Sequence, residues 1–163
     1  MHVIIVGCGR VGSQLAQILS TEGHNVVIID KNAESFKRLG TDFNGIAITG
    51  IGFDPDILKR AGIERADALA AVTNGDNSNI MVSQIAKKIY NVPRVLTRIY
   101  DPLRADIYKK FGLNTIGTTS IVAQIFRSAI LKESSKLEFS IGDDLGLIEY
   151  IAQKEEEAAE QGA

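Results

Sequence analysis

Apolar residues in this chain fall in short unbroken runs separated by stretches of helical periodicity. His2–Val6 (HVIIV), Asn25–Asp30 (NVVIID), Gly45–Gly50 (GIAITG), Ala66–Thr73 (ADALAAVT) and Arg94–Tyr100 (RVLTRIY) read as strands, with Asn114–Thr118 (NTIGT) a short sixth. None alternates cleanly between apolar and polar, the mark of strands covered on both faces. Between them lie helices. Val11, Leu15, Ile18 and Leu19 recur at i, i+4, i+7 and i+8, and "NAESFKRL" (Asn32–Leu39) predicts a short helix. Asp54-Pro55 opens another to about Ala61, with Asp as N-cap and Pro at the first helical position. The next runs from about Asp76 to Tyr90, with Met81, Ile85 and Ile89 four apart. Asp101-Pro102 then repeats the cap signal before a Leu103, Ile107, Phe111 stripe.

Strands that each precede a helix imply a parallel sheet, here a Rossmann-type, doubly wound α/β sheet of six strands over residues 1–118. No strand interior carries proline, as that assignment requires. The rhythm changes in residues 119–163. Thr119–Leu131 reads as a helix with Ile121, Val122, Ile125, Phe126, Ala129 and Ile130 on a broad apolar side. "KLEFSI" and "LIEYIA", around "GDDLG", read as a short β hairpin, and "KEEEAAEQGA" as a solvated acidic tail.

Composition narrows the classes. The chain has 163 residues, 45% apolar and 23% charged, with net charge −2. One domain of ordinary size fits that length. The charge balance predicts neither nucleic acid nor an anionic membrane surface as partner. The apolar runs are far shorter than the ~20 residues of a membrane span, and the N-terminus has no signal-peptide pattern. A single cysteine fits a reducing cytosol. Any action at a membrane is therefore expected through a partner.

Gly7-Cys8-Gly9-Arg10-Val11-Gly12 is a G-x-G-x-x-G string directly between a strand and a helix, and Asp30 ends the next strand 23 positions after Gly7. That is the dinucleotide-binding arrangement. Gly7 permits the turn, Gly9 lets phosphates approach bare backbone, and Gly12 lets the helix pack on the sheet. The helix N-terminus presents N–H donors to an anion. Asp30 can accept from ribose hydroxyls and repels a 2′-phosphate. Cys8 reads either as a small filler or as a thiol activated by the helix end. Arg10 reads as a phosphate contact or a solvated side chain. "VTNGDNSN" (Val72–Asn79) ends strand four within reach of a ribose or nicotinamide, with Asp76 as helix cap. Arg98, late in strand five, needs an acidic partner or a phosphate.

Catalytic machinery is harder to find. His2 and His24 precede strands one and two, at the sheet edge opposite the expected cleft. There is no Tyr-x-x-x-Lys pair, no metal-binding motif and no Walker lysine.

The strings "IIVGCGRVGSQLAQIL", "VVIID", "AGIERADALAAVTNGDNSN" and "RIYDP" resemble the TrkA-N family, the regulatory nucleotide-binding domains of potassium transporters and channels, also called KTN or RCK domains. The long "AGIERADALAAVTNGDNSN" stretch is the most specific part, and the match covers roughly residues 1–131. The resemblance implies a non-enzymatic, cytosolic regulator, peripheral to the inner face of the membrane through a potassium transporter or channel subunit. NAD(H) or ATP/ADP would occupy the cleft and change the shape of a ring of such domains. By similarity, Gly7, Cys8, Gly9, Arg10 and Val11, with Gly12 behind them, would hold phosphates, and Asp30 the ribose. Gly50 would sit near the adenine, and Thr73, Asn74 and Arg98 would line the nucleotide. Thr119–Leu131 matches the crossover helix through which subunits dimerise, although the same stripe can pack within its own chain.

The chain departs from the family in two ways. Only about 30 residues follow the crossover helix, too few for the second ligand-binding subdomain many members carry. The proline expected before that helix is absent from "TIGTTSIVAQIF". A small NAD-dependent oxidoreductase, or a fragment of one, and a bare oligomerisation module stand as alternative readings.

Overall fold

A computed structural model describes residues 1–141 and 144–150. Six strands, β1 (His2–Val6), β2 (Asn25–Asp30), β3 (Ile46–Thr49), β4 (Ala68–Ala71), β5 (Arg94–Ile99) and β6 (Asn114–Gly117), form one sheet in the order β3-β2-β1-β4-β5-β6. Every pairing in it is parallel. This is the doubly wound Rossmann order, whose direction reverses between β1 and β4. Helices α1 (Arg10–Thr21), α2 (Pro55–Arg60), α3 (Asp76–Lys88), α4 (Pro102–Lys110) and α5 (Thr118–Leu131) connect or follow the strands. Strands β7 (Ser135–Ile141) and β8 (Asp144–Tyr150) pair antiparallel as the expected hairpin. The acidic tail lies outside the described residues. None of the described helices is long and apolar enough to cross a membrane.

Two apolar layers flank the sheet, divided by strand parity. Val3, Ile5, Val26 and Ile28 face α1, burying Ala16 and the half-buried Leu15 and Leu19. Ile4, Val6, Val27, Ile29, Leu69 and Val95 face α2 and α3, burying Leu58, Val82 and Ala86. Ile99, Ala105 and Leu113 extend that second layer under α4. Asp54 and Asp101 cap α2 and α4 as the Asp-Pro signals predict, their side chains accepting from Asp56 N–H at 2.8 Å and Leu103 N–H at 3.0 Å.

The structure refines several local readings. "NAESFKRL" forms a 3-10 helix (Ala33–Leu39), capped by Asn32. Gln17 of α1 donates to the carbonyls of Arg38 and Leu39, which as the last of the helix have no partner within it. On α3 the buried face is Asn79, Ile80, Val82, Ser83 and Ala86, whereas Met81 and Ile89 face outward. On α4 the Leu103, Ile107, Phe111 stripe is exposed, Leu103 by 75%. Small and hydroxyl residues share these internal faces with Ile80 and Val82: Ala105 is buried, and Ser83 Oγ lies 2.8 Å from Thr97 Oγ1. Periodicity locates an apolar stripe but not what covers it.

Candidate functional site

The glycine loop leaves β1 through Gly7, whose N–H donates to Ile29 O at 2.8 Å and whose φ is +106°. A Cβ at Gly7 would lie 2.8 Å from the Thr73 backbone, and one at Gly12 only 1.8 Å from Gly7 O. Both glycines are therefore required by the fold. Gly9 differs: its φ is an ordinary −79°, and a Cβ there meets nothing within 4 Å. Gly9 is the N-cap of α1 but has no side chain to accept the helix's first N–H groups. These donors face the cleft.

Asp30 closes the loop. Its Oδ2 accepts from Cys8 N–H at 2.7 Å and its Oδ1 from Asn32 N–H at 2.9 Å, tying the end of β2 to the glycine turn. The Cys8 side chain points away from the cleft, fully buried, with Sγ donating to Ser35 O at 3.3 Å. Burial, then the nearby Asp30 charge, push its thiol up to about 11, partly opposed by Arg38. This is the environment of an inert filler, not of an activated thiol.

The far wall is built on Asn79, fully buried in α3. Its Oδ1 accepts from Thr73 N–H at 2.9 Å and lies 2.7 Å from Thr73 Oγ1; its Nδ2 donates to Thr73 O at 3.1 Å and Arg98 O at 2.9 Å. One amide thus fastens the ends of β4 and β5. Asp76 does not cap its own helix. Its carboxylate accepts from Tyr100 N–H at 2.9 Å and Asp101 N–H at 3.3 Å, with Arg104 Nη1 at 3.9 Å. The Arg98 guanidinium stacks 4.1 Å from the Tyr100 ring centroid. Arg98 makes no ion pair among the described residues, and its Nε is buried without a partner. Burial lowers its pKa; Asp76 opposes that and Arg10 adds to it.

These walls enclose a cavity of about 730 Å³ at the carboxyl ends of β1 and β4, within the range of small-molecule sites. Of the residues singled out in the sequence, Gly7, Gly9, Arg10, Val11, Asp30, Gly50, Thr73, Asn74 and Arg98 line it, while Cys8 and Gly12 lie behind it. The structure adds Lys31, Asn32, Ser35 and Arg38 beside Asp30, Phe53 beside Gly50, and Tyr100 and Thr118 at the α5 end. Four cations and one carboxylate therefore face the space. Position gave a cue to Lys31 and Arg38, which follow Asp30 closely. Asn79 had only the density of asparagines in "TNGDNSN" to mark it. His2 sits at the opposite edge, with Nε2 2.8 Å from Ala61 O.

A family model described as the TrkA-N domain matches residues 3–119. The Trk system potassium uptake protein TrkA of Streptomyces coelicolor is 53% identical over 118 residues, covering 72% of this chain and 53% of that protein. The chain thus spans about half the length of the curated relatives it matches. Among solved structures, GsuK bound to ADP superposes with TM-score 0.67 at 22% identity, over 78% of this chain and 33% of that one. The GsuK channel bound to NAD superposes with TM-score 0.65 at 21% identity, over 85% and 26%. These superpositions concern the fold; the sequence match concerns descent, and by it this chain belongs to the TrkA-N family.

Proposed function

We propose that this domain is the nucleotide-sensing part of a cytosolic regulator of potassium transport. It binds NAD(H) or ATP/ADP in the cleft between β1 and β4 and passes the ligand state to a membrane transporter or channel subunit. The observation that carries this is the match between cleft and ligand chemistry. Bare backbone at Gly9 and the uncapped N-terminus of α1 face the same space as Arg10 and Arg98. The unpartnered Arg98 Nε is what a polyanion would satisfy. Gly7, Gly9, Arg10 and Val11 would hold phosphates, Asp30 the ribose, Gly50 the adenine end, and Thr73, Asn74 and Arg98 the remainder. Cys8 and Gly12 would act by shaping the loop.

Regulation suits this cleft better than turnover. No histidine or cysteine side chain lines it, and its one carboxylate already accepts two backbone N–H groups. A nucleotide biases a conformational equilibrium only by binding two states unequally. Thr118, the first residue of α5, lines the cleft, so a ligand there would touch the base of the helix read as the dimer arm. Val122, Phe126 and Ile130 on that helix are exposed, which supports self-association. NAD and ADP in GsuK support the ligand class; the potassium system follows from the TrkA relatives.

Thermal denaturation with NAD⁺, NADH, ATP and ADP tests the binding. Ligand at 100 times its Kd adds about 2.7 kcal/mol, or roughly 5–10 °C for a domain of this size. Asp30→Ala abolishes the increment, whatever it does to the ligand-free melting temperature. A melting temperature indifferent to all four nucleotides at high millimolar concentration refutes the reading.

A further inference from the structure

By sequence, Asp30 turns away a phosphate on the 2′ oxygen of a bound ribose. Its surroundings act in the opposite sense. Lys31 follows it directly at the end of β2, and Ser35 and Arg38 lie in the 3-10 helix beyond. All three line the cleft beside Asp30. Lys31 and Arg38 are exposed and Ser35 is half-buried. Among the described residues, none of these three side chains has a hydrogen-bond or ion-pair partner. The other carboxylate nearby, Glu34, is taken up by the exposed Lys37, and neither of that pair lines the cleft.

The charges of Asp30 and Arg38 sit around the same loop, because both act on the buried Cys8 thiol, Asp30 pushing it up and Arg38 drawing it down. Each Asp30 oxygen already accepts one backbone N–H, from Cys8 at 2.7 Å and from Asn32 at 2.9 Å. Two cations against this one committed carboxylate leave the ribose end of the cleft net positive. Helix electrostatics explain only half of the pair. Arg38 lies in the last turn of the 3-10 helix, where a cation is favourable. Lys31 precedes the N-cap Asn32, where a cation is unfavourable.

A lysine, a hydroxyl and an arginine, all unengaged around one space, suit a phosphate dianion, through point charge, hydrogen bond and guanidinium fork. In dinucleotide-binding folds an arginine near the ribose accommodates the 2′-phosphate of NADP. We propose that Lys31, Ser35 and Arg38 form a subsite for a phosphate on the adenosine 2′ oxygen, so that the cleft takes NADP(H) as well as NAD(H). This rests on the reading of the cleft as a nucleotide site. Asp30 keeps the neighbouring 3′ hydroxyl, a donor that suits its remaining acceptor sites, while the cations hold the phosphate.

The test is isothermal titration calorimetry of the 163-residue chain with AMP, 2′,5′-ADP and 3′,5′-ADP, and with NAD⁺ and NADP⁺ as the dinucleotide pair. A charge-assisted contact is worth about a tenfold change in affinity, so 2′,5′-ADP binds about tenfold tighter than AMP. That advantage shrinks as salt is raised. 3′,5′-ADP carries the same charge on the neighbouring oxygen and does not share it. NADP⁺ binds at least as tightly as NAD⁺. Lys31→Gln/Arg38→Gln brings the affinity ratio of 2′,5′-ADP to AMP to about one. Lys37→Gln removes an adjacent cation outside the cleft and leaves the ratio at its wild-type value. Ligand-free melting temperatures show that the variants are folded, and the comparison of 2′,5′-ADP with 3′,5′-ADP needs no variant at all. The inference is overturned if AMP and NAD⁺ bind but 2′,5′-ADP has no advantage over AMP or NADP⁺ falls below NAD⁺. It is also overturned if 3′,5′-ADP shares the advantage, or if the advantage survives in the double variant or is lost equally in Lys37→Gln. If none of the five compounds binds, the nucleotide reading of the cleft fails and this subsite fails with it.

Discussion

At Gly9 fold and ligand make different demands on one residue. Gly7 and Gly12 are fixed by steric contact within the protein, so Gly12→Ala drives a methyl into Gly7 O and costs about 3 kcal/mol or more by overpacking. Gly9 has ordinary dihedrals and open space before it. Gly9→Ala is therefore expected to keep the wild-type urea midpoint while losing the thermal increment from nucleotide. Loss of stability together with binding would mean that Gly9 serves the fold instead. Cys8 makes the opposite case. Its thiol is held at about 11 against an ordinary value of 9.0, so folding favours the protonated form. That contribution is complete below about pH 9 and is lost as pH rises through 11. Urea midpoints from pH 8 to 10.5 should fall more steeply for wild type than for Cys8→Ala. Parallel profiles would mean the thiol titrates normally.

Among the elements, the β4 and β5 ends depend on α3 through Asn79. Asn79→Leu leaves Thr73 N–H, Thr73 O and Arg98 O without their partner inside the protein. Unsatisfied buried groups cost about 1–3 kcal/mol each; with relaxation, a loss of roughly 3 kcal/mol is expected in chemical denaturation. The same change should loosen Thr73 and Arg98 and weaken nucleotide binding even in protein that remains folded. An Asn79→Leu variant as stable as wild type would show that water satisfies these groups equally well. Sequence made the strands, the Asp-Pro caps and the glycine loop legible, because these follow from local chemistry: bulky apolar runs, a fixed proline φ, an absent Cβ. Asn79 and Asp76 were not legible in their true roles. A polar residue in a helix looks solvent-facing or capping until the strand ends it reaches are known. The stripes on α3 and α4 were legible as stripes, but periodicity does not say whether a stripe is covered.

Across the whole molecule, net charge and apolar fraction describe averages, and averages hid the cationic cleft. The sheet order was accessible because parallel strands joined by helices have few solutions. What covers the exposed apolar residues of α4 and α5 was not, because no local pattern in the sequence encodes it. Ser128 is the only residue of α5 that is buried, while Phe126 and Ile130 stand in water and Leu103 and Ile107 are exposed on α4. Large apolar side chains grouped in the open along one helix mark a candidate interaction surface. If α5 is a dimer arm, light scattering should give the wild-type chain at least twice its 17.7 kDa. Phe126→Glu/Ile130→Glu should return it to one chain mass with unchanged circular dichroism, because neither side chain supports the fold. Leu103→Glu distinguishes a second contact: if α4 also mates, this variant stops assembly at the dimer rather than abolishing it. A wild-type chain that remains at monomer mass up to high micromolar concentration removes the ring from the account. The nucleotide cleft would then stand as a binding site without the subunit contact through which it could act on a transporter.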